Sequence, residues 1–211
     1  MGIGKATRTP PIATARGEAT RARITQAAAA LVAARGVAGT TLDDVMEASR
    51  TSKSQIYHYF ADKDALICAV VEAQSDRVLG IHASCLSGVS SLEDLREWRN
   101  QVVRLNRAKH GVGGCPIGSL ASALADRSEE VRELLAKSFQ RWESHFATGL
   151  KVMQDHGILS PRVHPGDLAT AIVSALQGGL LLAQTTRSTR PLELALDMAL
   201  DHISAHSVHA H

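Results

Sequence analysis

Aromatic residues are scarce in this chain: two Trp, two Tyr and three Phe among 211 residues. Cysteine is scarcer still, with Cys68, Cys85 and Cys115 widely spaced and odd in number. That spacing suits neither a disulfide framework nor a zinc site, so a reducing, cytoplasmic setting is expected. No uninterrupted apolar run reaches the ~18 residues of a membrane span, and no membrane association is expected. The run "AAAALVAA" at 27–34 starts late for a signal peptide and ends in Arg35-Gly36, without a clear processing site. Strict apolar/polar alternation is missing too, which argues against β-strands. Net charge is only +2. Its distribution is uneven, however: residues 1–60 hold eight Lys/Arg against four Asp/Glu, and the rest fifteen against seventeen. The basic end is where an anionic partner is expected.

What remains is rich in Ala and Leu, the strongest helix formers, and the fold class expected is all-α. Residues 1–17 carry Lys5, Arg8, Arg16 and Pro10-Pro11 without an apolar period, and are expected to be a mobile basic arm. From Glu18 the apolar residues Ile24, Ala27, Ala28, Leu31 and Val32 recur at helical spacing until Gly36. Thr41-x-x-Asp44 opens a short helix over 42–49, Ser52 another over 53–60, and Asp62 a longer one from Lys63 to about 83. Ser91, Pro116, Ser128, Pro165 and Pro191 then open five more helices, which makes about nine in all.

The stretch "TSKSQIYHYFADKDAL" gathers three of the seven aromatic residues beside hydroxyls and a lysine. Two short helices about three residues apart, behind a longer one, make a helix-turn-helix module. Its second short helix would present Lys53, Ser54 and Gln55 to DNA from an N-terminus whose free N–H groups suit a phosphate. Glutamine can bond adenine through both amide atoms, while Tyr57, His58 and Lys63 would reach backbone phosphates. Ile56, Phe60 and one tyrosine would face inward. Ser52-x-x-Gln55 is equally a capping box, which would tie Gln55 to its own backbone.

The segment "GVAGTTLDDVMEASRTSKSQIYHYFADKDAL" resembles the DNA-binding domain of the TetR family of one-component bacterial transcriptional regulators, over roughly residues 18–70. The resemblance implies a homodimeric, Ω-shaped regulator whose two recognition helices enter successive major grooves of a palindromic operator in double-stranded DNA. It implies DNA contacts from Thr41, Lys53, Ser54, Gln55, Tyr57, His58 and Lys63. It implies a DNA-binding domain at 18–62 and a ligand-binding and dimerisation domain at 63–211. Where the family usually has Gly-Val in the turn, this chain has Arg50-Thr51. A left-handed Arg50 would cost ~1 kcal/mol relative to glycine.

"GGCPIGSLA" at 113–121 and "LQGGLLLAQ" at 176–184 resemble the branch of drug- and flavonoid-responsive efflux repressors. That implies a small-molecule effector, lipophilic in the absence of an inward charge cluster, and a four-helix dimer interface. Trp98, Phe139, Trp142, Phe146 and Met153 are the candidate pocket, and the same stripe would serve as ordinary core. Leu168, Ile172, Leu176, Gly179 and Leu180 are the candidate dimer seam. Cys115, just before a helix N-terminus, could be a redox sensor or a small buried hydrophobe. His202 and His206 stand four apart without a further ligand, so no metal and no cofactor is expected. Two other classes fit less of the sequence. An enzyme using Cys115 with His110 lacks an orienting group and an oxyanion motif, and a helical adaptor would leave the basic first 60 residues without a role.

Overall fold

A computed structural model describes residues 14–86 and 88–208. Among them the helices are α1 (Ala15–Arg35), α2 (Leu42–Ser49), α3 (Lys53–Tyr59), α4 (Lys63–Leu86), α5 (Leu92–Ala108), α6 (Pro116–Leu124), α7 (Glu129–Asp155), α8 (Pro165–Thr186) and α9 (Arg190–Ser204). No strand occurs among the described residues; Leu159 and Ser207 form an isolated bridge. The all-α reading is right. The chain divides into two compact units, Met1–Leu66 and Ile67–His211. The division therefore lies one turn inside α4, not at its start.

The first unit is built on helix ends that the sequence dictates. Most of the expected arm lies outside the described residues, but its last part is already helical, because Thr14 Oγ1 accepts the Gly17 N–H at 3.2 Å and caps α1. Gly36, at φ 73°, ends that helix in a conformation that glycine adopts without strain. Ile24, Ala28, Val45, Ile56, Phe60 and Leu66 form the core, each at most 2% exposed. Two arginines of α1 tie it down: Arg23 Nε donates to the Ser49 carbonyl at 3.0 Å, and the Arg21 guanidinium lies 5.4 Å from the Phe60 ring centre.

In the second unit α8 packs on both α7 and α9. The α8–α9 contact is close because a Cβ on Gly179 would stand 2.9 Å from Leu192 Cα. Ion pairs Arg99–Asp197 at 2.8 Å and Arg107–Glu193 at 2.7 Å join α5 to α9. Helix α8 is long and apolar enough on average to cross a membrane by length and composition alone, as the core helix of a soluble protein also can be, and no uninterrupted apolar run spans it. Thr170, Ser174 and Gln177 break the run without lowering its average much, and Leu168, Ile172 and Leu176 are buried within the unit.

Candidate functional site

Helices α2 and α3 hold the first candidate surface. Thr41 caps α2 in a reciprocal box: its hydroxyl oxygen accepts the Asp44 N–H at 3.1 Å, and its own N–H donates to Asp44 Oδ2 at 2.9 Å. The same hydroxyl donates to Asp44 Oδ2 at 2.6 Å. These bonds, with Arg35 nearby, hold the Asp44 carboxyl below its ordinary range. Thr41 therefore has no proton left for a phosphate. The turn follows, with Arg50 at φ 51°, ψ 48°, so the left-handed conformation is realised on an arginine. Its side chain is exposed, three residues before α3 begins. Behind it, Ser49 Oγ donates to the Val45 carbonyl at 2.6 Å and meets the Thr51 hydroxyl at 2.7 Å, which closes the turn.

Ser52 caps α3, and the capping-box alternative for Gln55 is the one the structure adopts. Gln55 Oε1 accepts the Ser52 N–H at 2.9 Å, and the Gln55 N–H donates to Ser52 Oγ at 3.2 Å. Contact to adenine through both amide atoms would break this cap, so only the Gln55 amide N–H₂ is left for a base edge. Lys53, Ser54, Tyr57 and His58 are exposed, and Tyr59 is half-buried. Ile56 and Phe60 face the core. Lys63 differs most from expectation. Its Nζ donates to the carbonyls of Val37 at 3.0 Å and Thr40 at 2.6 Å, so the ammonium fastens the start of α4 to the α1–α2 turn.

The second unit holds a buried aromatic cluster. Trp98, Trp142, Phe146 and Met153 are at most 1% exposed, and Phe139 is half-buried. Trp98 and Phe146 meet edge to face with ring centres 4.8 Å apart. One member escaped the sequence reading: His82 of α4, 9% exposed, stacks on Trp142 at 5.4 Å and stands 6.4 Å from Trp98. Burial pushes its pKa down to about 4, so the imidazole is neutral at physiological pH. Only the spacing of α4 could have pointed to it, since it falls four residues after Val78 and four before Leu86 on the buried face. Cys115 is buried, its Sγ taking N–H groups from Gly118 at 3.4 Å and Gln177 at 3.5 Å, whereas His110 is exposed on the preceding turn. The structure does not bring those two together as a nucleophile and its base.

The candidate dimer seam is corrected by burial. Leu168, Ile172, Leu176 and Gly179 point into the subunit and Leu180 is half-buried, because α7 and α9 cover that side of α8. The other side leaves apolar residues uncovered: Leu181 is 64% and Leu182 53% exposed, with Leu194 at 50% and Met198 at 69% on α9. Gly178 lies on the same open side, with nothing within 4 Å of where its Cβ would be.

A capped two-helix turn with an exposed, donor-bearing second helix, followed by a helical unit with its own core, defines a helix-turn-helix DNA-binding protein. Residues 24–70 match the family model "Bacterial regulatory proteins, tetR family", and residues 91–198 match "Transcriptional regulator LmrA/YxaF-like, C-terminal domain". An uncharacterized HTH-type transcriptional regulator of Mycobacterium tuberculosis is 30% identical over 82% of this chain and 89% of its own length. The HTH-type transcriptional repressor DhaR of Mycobacterium sp. (strain GP1) is 25% identical over 79% of this chain and 83% of its own. Among solved structures, a TetR-family transcriptional regulator from Cytophaga hutchinsonii superposes with a TM-score of 0.81 at 20% identity, covering 92% of this chain and 98% of that one. The chain belongs to the TetR family of DNA-binding transcriptional regulators, with an LmrA/YxaF-like C-terminal domain.

Proposed function

We propose that this regulator is a cytoplasmic repressor, homodimeric, released from a palindromic operator by a small lipophilic ligand. The observation that carries the DNA side is the exposed cluster Lys53, Ser54, Tyr57 and His58 on α3, on a module matching the family's DNA-binding domain. Lys53, Tyr57 and His58 would hold phosphates, Ser54 and the Gln55 amide would face base edges, and Arg50 would add a phosphate contact. Thr41 and Lys63 shape the module, and of the three Lys63 ammonium protons the α1–α2 turn takes two. The repressor direction is supported by the similarity to DhaR.

The uncovered side of α8 and α9 is the dimer surface this reading needs. Burying Leu181, Leu182, Leu194 and Met198 against a second copy removes large side chains from water, at ~1.5–3 kcal/mol each when fully buried. The effector would act in the second unit at the aromatic cluster. Helix α4 supplies His82 to that cluster and runs unbroken from Lys63, whose ammonium fastens its start to the α1–α2 turn. A ligand releases the operator only by binding the DNA-incompetent form more tightly.

The test is fluorescence anisotropy on labelled DNA flanking the protein's own gene, with salt varied. Lys53→Ala should weaken binding to all sequences and lower the salt slope by about one. Binding by Lys53→Ala and Tyr57→Phe variants indistinguishable from wild type would remove α3 as the DNA face.

A further inference from the structure

Two imidazoles stand together at the end of α9, away from the aromatic cluster. His202 and His206 are four residues apart, so they rise on one face of the chain, and their ring centres lie 4.9 Å apart with the planes at 87°. His206 lies past Ser204, the last residue of α9, where helix ends ordinarily fray. Here the end is pinned. The Ala205 N–H donates to the Asp201 carbonyl at 2.9 Å and the His206 N–H to that of Ile203 at 3.0 Å, so the helical path continues through both histidines. Beyond them the chain pairs with residues 158–160. Ser160 N–H donates to the His206 carbonyl at 2.9 Å and Val208 N–H to the Ile158 carbonyl at 2.9 Å, on either side of the Leu159–Ser207 bridge. Both side chains thus spring from a backbone held at each end, as a chelating pair requires.

The chemistry of the pair selects a cation. Two histidines at i and i+4 on one helix face are an arrangement that holds zinc, each through one imidazole nitrogen. Two imidazoles bound to one tetrahedral ion at ~2.0–2.1 Å have ring centres about 5 Å apart. The observed spacing is already that of a chelate, so ligation asks for rotation of the rings and no movement of the backbone. The free carbonyls of a helix C-terminus favour positive charge, and the exposed Asp201 adjoins His202 in sequence. His202 is exposed and His206 half-buried, which opens the pair to solvent. Imidazole suits zinc, nickel and copper, whereas magnesium and calcium take oxygen ligands. Among the described residues no group of three or more metal-ligating side chains occurs, so water fills the ion's other positions. Ile203, 1% exposed, follows His202 where a zinc protease carries its glutamate base, so the pair binds without catalysing.

We infer that His202 and His206 form a binding site for a divalent transition-metal ion of the zinc type, one per chain, which clasps the end of α9. The spacing in the sequence was no reason to expect a metal without a further ligand; the pinned helix end and the distance between the rings are. An unfolded chain does not hold the two imidazoles in register, so the ion stabilises the folded form.

The experiment titrates zinc chloride into the full-length protein, freed of metal by a chelator and dialysed, with isothermal titration calorimetry. Thermal melts with and without zinc accompany it. The chain has ten histidines, and His209 and His211 follow the pair closely, so variants must separate them. Wild type and the double variant His209→Gln, His211→Gln should each bind one zinc per chain and melt higher with it, and magnesium should do neither. His202→Gln and His206→Gln should each weaken zinc binding about tenfold or more, because the second ligand of a chelate binds at high effective concentration. Both should also lose the zinc-dependent rise in midpoint while melting like wild type without metal, which separates loss of the site from loss of the fold. Zinc affinity unchanged in both single variants, or absent in wild type, would overturn the site. So would loss of binding in the double variant, which would assign the metal to the last three residues, or one ion per two chains, which would place it between subunits.

Discussion

Replacing Lys63 by methionine keeps the aliphatic stem and removes both bonds from Nζ to the carbonyls of Val37 and Thr40. Hydrogen bonds from a charged donor are worth ~1.5–3 kcal/mol each, but this side chain is half-buried and water can replace part of the loss. The expected cost is ~1–3 kcal/mol to the helix-turn-helix unit. The turn it holds is otherwise tied by Thr40, whose Oγ1 donates to the Gly36 carbonyl at 2.9 Å and whose N–H donates to the Val37 carbonyl at 3.3 Å, and by the exposed Arg35–Asp44 pair at 3.3 Å, so part of the loss falls on the spacing between α1 and α2. For a chain of this length each kcal/mol moves the midpoint by ~2–4 °C, giving a fall of about 2–12 °C if unfolding is two-state. Far-UV circular dichroism against temperature measures it, and operator titrations at several salt concentrations accompany it. A structural tie predicts a lower midpoint with the salt slope intact. A phosphate contact predicts the reverse, a slope smaller by about one and an unchanged melt. An unchanged midpoint with a reduced slope would refute the structural assignment and return Lys63 to the DNA face.

Arg50→Gly should raise the unfolding free energy from urea melts by up to ~1 kcal/mol by relieving the left-handed residue, and lower operator affinity if the guanidinium meets a phosphate; a fall in that free energy would count against strain. Leu181→Glu with Met198→Glu should give folded monomers in light scattering, whereas Leu176→Glu should unfold the second unit, because Leu176 is buried within one subunit. Dimers persisting in the double variant would place the interface elsewhere. The His82 pKa falls from 6.5 to about 4 on folding. The unfolded chain therefore takes up a proton that the native state refuses between those values, and stability rises with pH across that window and is flat above it. The span is about 3 kcal/mol by the linkage relation, and His82→Phe should flatten it in urea melts taken from pH 4 to 7.

The legibility of this chain followed the range of the interactions. Caps act over three or four residues, so Thr41 with Asp44, Ser52 with Gln55, Ser91 and Ser128 announced their helices, and Pro116 and Pro165 theirs. The inward positions of Ile56 and Phe60 followed from the same local spacing. Gln55 was the ambiguous case, since one side chain suits both a cap and a base edge, and only the folded structure decides which partner it has in the free protein.

Other features depended on residues far apart in the chain. The partners of Lys63 lie 23 and 26 residues away, so its role was hidden behind a motif that suggested DNA. Helix α8 is apolar on most of its circumference, and a period cannot say which stripe meets α9 and which stays uncovered. Gly179 against Leu192 settles that by contact. His82 carries no motif at all; three helices had to converge before its ring met those of Trp142 and Trp98. By itself the sequence determined where most helices begin and which residues of the short helices turn inward, because caps and apolar spacing act within a few residues. Tertiary structure alone decided which apolar side of α8 is core, what Lys63 holds and what surrounds His82, because burial and pairing there depend on residues that only folding brings together.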